Sequence, residues 1–279
     1  MMEFLAAFFK YQFIQNAVWA AFLSSLACGI TGAYVIVKRI TFISGGIAHA
    51  VLGGMGIAYY CGADPLAGAV IAALFSALLL GLVNLRAKQH EDTIISALWA
   101  VGMAVGIIFI AKTPGYNVDL MSFLFGNILM VTSPVLKVLL VLDLIILLIV
   151  TVFYRHFLLI CFDEEYARLR GLPVELLYIV LLCLIALTVV ILSKVVGLIL
   201  VIALLTLPAA VAGLLTANFA RMIGLATLLS LFFTLAGLVV SYHLDLPAGA
   251  VIVLIAGLCY LAVMGGQRFY LRRQRRSEL

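Results

Sequence analysis

The feature that most constrains this chain is a series of continuous apolar runs, each about 20 residues long. A helix of that length crosses the roughly 30 Å hydrocarbon core of a bilayer. Of the 279 residues 66% are hydrophobic and only 10% are charged, whereas a soluble domain carries about a quarter charged residues. Lipid offers no hydrogen bonds, so every backbone polar group in a bilayer must find its partner within the protein. Because the runs also do not alternate, we predict an all-α, polytopic integral membrane protein folded as one bundle.

The apolar runs are nine in number, and we interpret residues 1–279 as a single transmembrane domain. They cover 14–37, 42–61, 65–84, 93–111, 134–154, 176–193, 196–215, 222–242 and 247–264. The sixth and seventh runs are separated by little besides Lys194. If one of these two runs does not fully cross the membrane, the chain has eight spans instead of nine. Residues 115–130 are too polar and too short to span, and they form either a loop or a re-entrant piece.

The basic residues predict how the chain is oriented. If residues 155–173 and the C-terminal tail lie in the cytoplasm, thirteen of the 17 Lys and Arg residues fall inside and four outside. Basic loops face the cytoplasm in membrane proteins. We therefore predict an N-terminus outside, and a C-terminus inside with a basic cytoplasmic tail at 267–279. This topology accounts for the net charge of +5 without a nucleic-acid partner.

A polar stretch before the sixth run predicts a short helix at about 163–171 on the cytoplasmic face. Its signals are an N-cap, acidic residues in the first turn, basic residues near the end and a glycine stop. On the residues alone it is either a solvated connection or a docking helix for a cytoplasmic partner. The residues concerned are Asp163, Glu164, Glu165, Arg168 and Gly171.

His49 is the histidine that lies well inside a predicted span, where a polar side chain suggests a function. Small residues around it let helices approach closely and leave room for an ion. No second ligand stands four residues away, so both a metal ligand and a histidine hydrogen-bonded between helices stay open. The small residues that we assign to helix packing or to the pathway are Ser44, Gly45, Gly46 and Gly53.

Three polar residues fall at the outer mouth on this topology, namely Asp119, His243 and Asp245. They either attract cations or belong to ordinary interfacial loops. Pro208 is expected to break the seventh run locally, because proline lacks a donor and clashes with the preceding turn. The sequence has no GxxxxGK[ST] phosphate loop, so the chain is not expected to be an enzyme that hydrolyses ATP.

Six stretches in chain order resemble the zinc/manganese/iron permease family of ABC importers. They are 37–53, 91–94, 118–127, 163–171, 196–210 and 245–249, and together they run over nearly the whole chain. The resemblance implies a prokaryotic plasma (inner) membrane permease that works as a homodimer. It also implies a cytoplasmic ABC ATPase that docks on 163–171, an extracytoplasmic metal-binding protein, and a transported zinc, manganese or iron ion with no permanently bound cofactor.

One departure from the family bears on the cargo. The resemblance implies an Asp and a His four residues apart in the second span, which places both on one helix face. His49 matches the histidine, but Gly45 stands at the Asp position. Either Asp119 or Asp245 substitutes, or the ion is held weakly. Since zinc favours imidazole and manganese favours carboxylate oxygen, we expect zinc first. A permease for a metal chelate and a gradient-driven secondary carrier are the alternatives.

Overall fold

The structure is a computed structural model that describes residues 9–86, 91–113, 126 and 128–277. Within this part the chain is helical and contains no strand. The helices are α1 Gln12–Lys38, α2 Thr41–Tyr60, α3 Pro65–Arg86, α4 Glu91–Lys112, α5 Ser133–Phe162, α6 Glu164–Leu169, α7 Val174–Val196, α8 Leu198–Leu215, α9 Phe219–Leu244 and α10 Ala248–Ser277. A 3₁₀ turn at Ile128–Met130 precedes α5.

Eight of the described helices are long and apolar enough to cross a membrane, which confirms the prediction of an all-α polytopic membrane protein. The shorter ninth is α8, whose 18 residues measure about 27 Å. A single residue, Gly197, separates it from α7 and has a φ of 82°. This left-handed angle is open to glycine at little cost, and it lets the chain turn back without a loop.

The first two spanning helices, α1 and α2, are joined by a turn of two residues. Arg39 adopts a left-handed φ of 60°, and its N–H donates to the carbonyl oxygen of Ile36 at 3.2 Å. The N–H of Ile40 donates to the carbonyl oxygen of Val35 at 3.0 Å. These bonds close the end of α1 as a left-handed C-cap does, and only Arg39 and Ile40 lie between α1 and α2.

The helices divide into a central and a peripheral set. The spanning windows of α1 and α2 are each 78% buried, against 17% for α4. Helix α2 packs against α3 and α4, and α1 packs against α5, α8 and α9. Helix α7 contacts helices of each of these two clusters. Large apolar side chains on the periphery, such as Phe75, Leu148 and Phe232, are exposed, as expected where lipid covers the protein.

Several sequence expectations are changed by the structure. Helix α8 continues through Pro208, so the predicted local break is wrong. Proline removes only one donor, and membrane helices tolerate it when neighbours satisfy the freed group. Helix α10 runs to Ser277, so most of the basic tail extends the last span. The loop or re-entrant piece at 115–130 lies largely outside the described residues.

Candidate functional site

The centre of α2 holds a buried histidine with an open hydrogen-bonding position. His49 is 8% exposed, and its Nδ1 atom has no hydrogen-bond partner in the described part of the chain. The imidazole stacks on the indole of Trp99 in α4, with ring centroids 4.1 Å apart and an interplanar angle of 14°. Buried polar atoms almost always have a partner, so this nitrogen is available to a ligand.

Glycines on α2 and α4 explain why the two rings meet face to face. A Cβ atom on Gly53 would stand 2.9 Å from the carbonyl oxygen of Gly102, and one on Gly56 would stand 2.6 Å from that of Gly106. The two backbones therefore touch, as small residues allow in membrane helices. On another face of α2, Gly54 meets the backbone of Gly68 in α3, so α2 is held from two sides.

Gly45 lies one turn before His49 and differs from the glycines farther along α2. A Cβ atom there would stand 3.5 Å from Cζ3 of Trp99 and 3.9 Å from Cδ1 of Ile202, which are ordinary contact distances. The position where the family resemblance expects Asp therefore has room for a Cβ atom, with the indole alongside. By comparison, a Cβ on Gly46 would stand 3.0 Å from Cγ2 of Ile95.

Trp99 is the site residue that our sequence reasoning missed. The signal that could have found it is Gly102-Met-Ala-Val-Gly106, a small-xxx-small pattern that predicts a close helix contact. Trp99 lies three residues before it and faces the same neighbour, because residues three or four apart share a helix face.

An open groove runs along α2 from the level of the histidine towards the end of the helix. It has a volume of about 520 Å³ and lies between α2, α3 and α4, from Ala50 to Cys61 and Asp64. Its lining is apolar except for Cys61, Asp64 and Ser76. It begins at Ala50, and neither His49 nor Trp99 lines it.

The other predicted metal residues are not brought to His49. His243 and Asp245 lie at the far end of α9 and are exposed, and Asp245 caps that helix with a φ of 53°. Among the described residues no group of three or more His, Cys, Asp or Glu side chains converges on one point. Asp119 lies outside the described residues, and its predicted role stays a prediction.

A second buried polar group lies in α5. Asp143 is 4% exposed, and its Oδ2 atom has no hydrogen-bond partner among the described residues. Carboxylates are costly inside a membrane unless they are partnered or neutral.

The short helix α6 forms as the sequence predicts. Asp163 is its N-cap, and its Oδ1 accepts from the N–H of Tyr166 at 2.9 Å. After the helix, Gly171 has a φ of 75°. Ala167 is buried, while Glu165 and Arg168 are exposed. Glu164 instead forms an ion pair with Lys38 at the end of α1. The outer face of α6 is therefore free to meet another protein, and its first residue is tied to the bundle.

Comparison with known proteins identifies the type of molecule. A model of the family described as "ABC 3 transport family" matches residues 10–267. An uncharacterized membrane protein of Synechocystis sp. is 44% identical over 268 residues, which are 96% of this chain and 95% of that protein. The manganese transport system membrane protein MntC of Halalkalibacterium halodurans is 38% identical over 251 residues, 90% of this chain and 86% of that one.

Two further similarities concern metal and fold. The chelated iron transport system membrane protein YfeD of Yersinia pestis is 34% identical over 256 residues, which cover 92% of this chain and 86% of that protein. The solved structure of PsaBC from Streptococcus pneumoniae in complex with Fab superposes with a TM-score of 0.85 at 30% identity, and the match covers 94% of each chain.

Proposed function

The chain belongs to the ABC 3 transport family, and from this premise we propose that it takes up a divalent transition metal ion, zinc first and manganese or iron next, in an ATP-driven importer. As a family member it is a membrane-spanning permease subunit of a metal transport system. In this proposal ATP is hydrolysed by a separate cytoplasmic subunit.

The observation that carries the cargo proposal is the unpartnered Nδ1 of buried His49. A buried donor or acceptor without a partner costs about 1–3 kcal/mol, and a bound metal ion would supply the partner that this nitrogen lacks. A neutral imidazole is a common metal ligand. The stack on Trp99 holds the ring in one plane.

The choice of zinc rests on what surrounds His49. Gly45 provides no carboxylate, and no described acidic side chain joins the histidine in a cluster. Zinc accepts imidazole readily, whereas manganese prefers oxygen ligands. Because relatives are named for manganese and for chelated iron, the uptake experiment must measure these two metals as well as zinc.

The assembly proposal follows the family resemblance. A cytoplasmic ATPase docks on the exposed face of α6, an extracytoplasmic binding protein delivers the metal, and two copies of this chain form the pathway. The protein is placed in a prokaryotic inner membrane with its N-terminus outside. The bias of basic residues towards the α6 end of the helices supports this orientation.

The test is multi-element uptake in cells without their own metal importers. The chain is expressed with its ATPase and binding protein, and zinc, manganese and iron are counted together. We expect zinc to accumulate and the accumulation to stop when the ATPase is inactivated. Accumulation of manganese alone would contradict the proposal that zinc is the cargo. Uptake that persists without ATPase activity would favour a gradient-driven carrier.

A metal chelate is the second candidate, because the relative YfeD is named for chelated iron. The close packing of α2 against α4 at Gly53 and Gly56 is the observation that favours a bare ion over a bulky chelate. Uptake of labelled metal that requires its chelator in stoichiometric amount would support the chelate instead.

A further inference from the structure

One lysine at the end of α1 touches three other helical elements. The side chain of Lys38 is 13% exposed and forms an ion pair with Glu164, the first residue of α6. Its Nζ atom also donates to the carbonyl oxygen of Ile160 in α5 at 2.7 Å. The same atom lies 5.7 Å from the centroid of the Tyr178 ring in α7. Charge-assisted hydrogen bonds are stronger than neutral ones, so the ammonium group joins α1 to α5, α6 and α7.

Helix α6 has few other ties to the bundle. It is six residues long, and Ala167 is its only buried residue, while Leu169 is 87% exposed. Asp163 caps α6 locally and does not attach it to another helix. The Lys38 ion pair is therefore a principal link between α6 and the spanning helices.

A short rigid path leads from Lys38 to His49. Arg39 and Ile40 form the hydrogen-bonded turn that closes α1, and α2 then runs without interruption from Thr41 through His49. Eight helical steps from Thr41 to His49 span about 12 Å. Because no break separates Thr41 from His49 in α2, a displacement of the first turn is carried along the helix to the histidine.

We infer that Lys38 is a positioning residue that passes movement of α6 to α2, and thereby links ATP hydrolysis to the exposure of His49. The inference rests on the proposed function, in which α6 docks on an ATPase. Lys38 does not touch the ion; it acts through Glu164 on one side and through the α1–α2 turn on the other.

The test uses the complete complex of permease, ATPase and binding protein in liposomes. Two quantities are measured: metal ions delivered per ATP hydrolysed, and the ratio of binding-protein-stimulated to basal ATP hydrolysis. The second quantity does not depend on the identity of the cargo. If the wild-type complex delivers no metal, the proposed cargo fails, and the Lys38 inference is still judged by the stimulation ratio.

The variants separate coupling from folding. We expect K38M to assemble and keep basal hydrolysis within about twofold, while both measured quantities fall about fivefold or more, because the link to α6 depends on a charge-assisted bond. K38R should retain most of the coupling. E164Q should also lower metal delivered per ATP and the stimulation ratio. The double variant K38M/E164Q should lose no more coupling than K38M, because the two residues act through one contact.

The matched control is K112M, which removes an exposed lysine from the last position of α4. It should match the wild type in both quantities. Unchanged coupling in K38M, or an equal loss in K112M, would overturn the inference. A proportional fall of basal hydrolysis and transport in K38M would do the same, since that result indicates loss of structure only.

Discussion

Lys38 is partly buried and His49 is buried, on either side of the α1–α2 turn, and the two ionisable side chains differ in their hydrogen-bond partners. The ammonium of Lys38 has an ion-pair partner, a carbonyl oxygen and an aromatic ring. The imidazole of His49 has one ring neighbour and an Nδ1 atom without a hydrogen-bond partner in the described residues. Full satisfaction suits a permanent joint between helices, whereas an open ligand position suits a group that binds and releases an ion.

The largest expected effect comes from removing the open ligand. H49A should lower metal uptake by at least about tenfold, a loss that even residues supporting a metal ligand can cause. The measurement is initial uptake rate at equal membrane expression. The matched control is H156A, because the Nδ1 of His156 in α5 also lacks a hydrogen-bond partner. Equal losses in both variants would remove the distinction drawn for His49.

The next effect concerns the backbone contact that holds α2. G56V places a Cβ 2.6 Å from the carbonyl oxygen of Gly106, closer than an ordinary contact. Overpacking of this kind costs about 1–3 kcal/mol, so the purified protein should unfold at lower temperature. The control G45A adds a Cβ at an ordinary 3.5 Å from Trp99 and should leave thermal unfolding nearly unchanged. The same shift in both variants would contradict the assigned packing.

A smaller effect is expected from the ring that stacks on His49. An aromatic pair is worth about 0.5–1.5 kcal/mol beyond its buried area, so W99L should raise the KM for uptake about threefold to tenfold and leave the maximal rate nearly unchanged. The control is W19L, because Trp19 is 58% exposed on α1. A fall in maximal rate without a change in KM would place Trp99 in a step other than holding the ion.

The smallest effect is expected at the exposed face of α6. E165K should weaken co-purification of the ATPase about twofold to fivefold, since an exposed charge contributes about 0.2–1 kcal/mol. The control is E175K, which reverses an exposed acidic residue in the first turn of α7. Unchanged ATPase retention in E165K would count against docking at this residue.

The sequence predicted the spans well because apolar length is a local property. The predicted run 42–61 became Thr41–Tyr60, and the Asp163 cap and the Gly171 stop both formed at α6. Helix α5 extends to Phe162, eight residues past the predicted run, because hydrogen bonding continues beyond the apolar length. Hydropathy measures where lipid ends and not where a helix ends.

The contacts of Lys38 and His49 were not predicted from the sequence. Lys38 and Glu164 are 126 positions apart, and no local spacing relates them. The stack of Trp99 on His49 depends on which spanning helices are neighbours, and apolar runs of similar composition do not reveal that. Such pairings are set by three-dimensional packing of small residues.

The room beside Gly45 has an evolutionary consequence. Substitutions at Gly53 and Gly56 must displace a neighbouring backbone, so the need to fold restricts which residues these two positions accept. At position 45 a Cβ atom fits at ordinary contact distances while the helices stay in place. A substitution there is therefore less restricted by folding than one at Gly53 or Gly56.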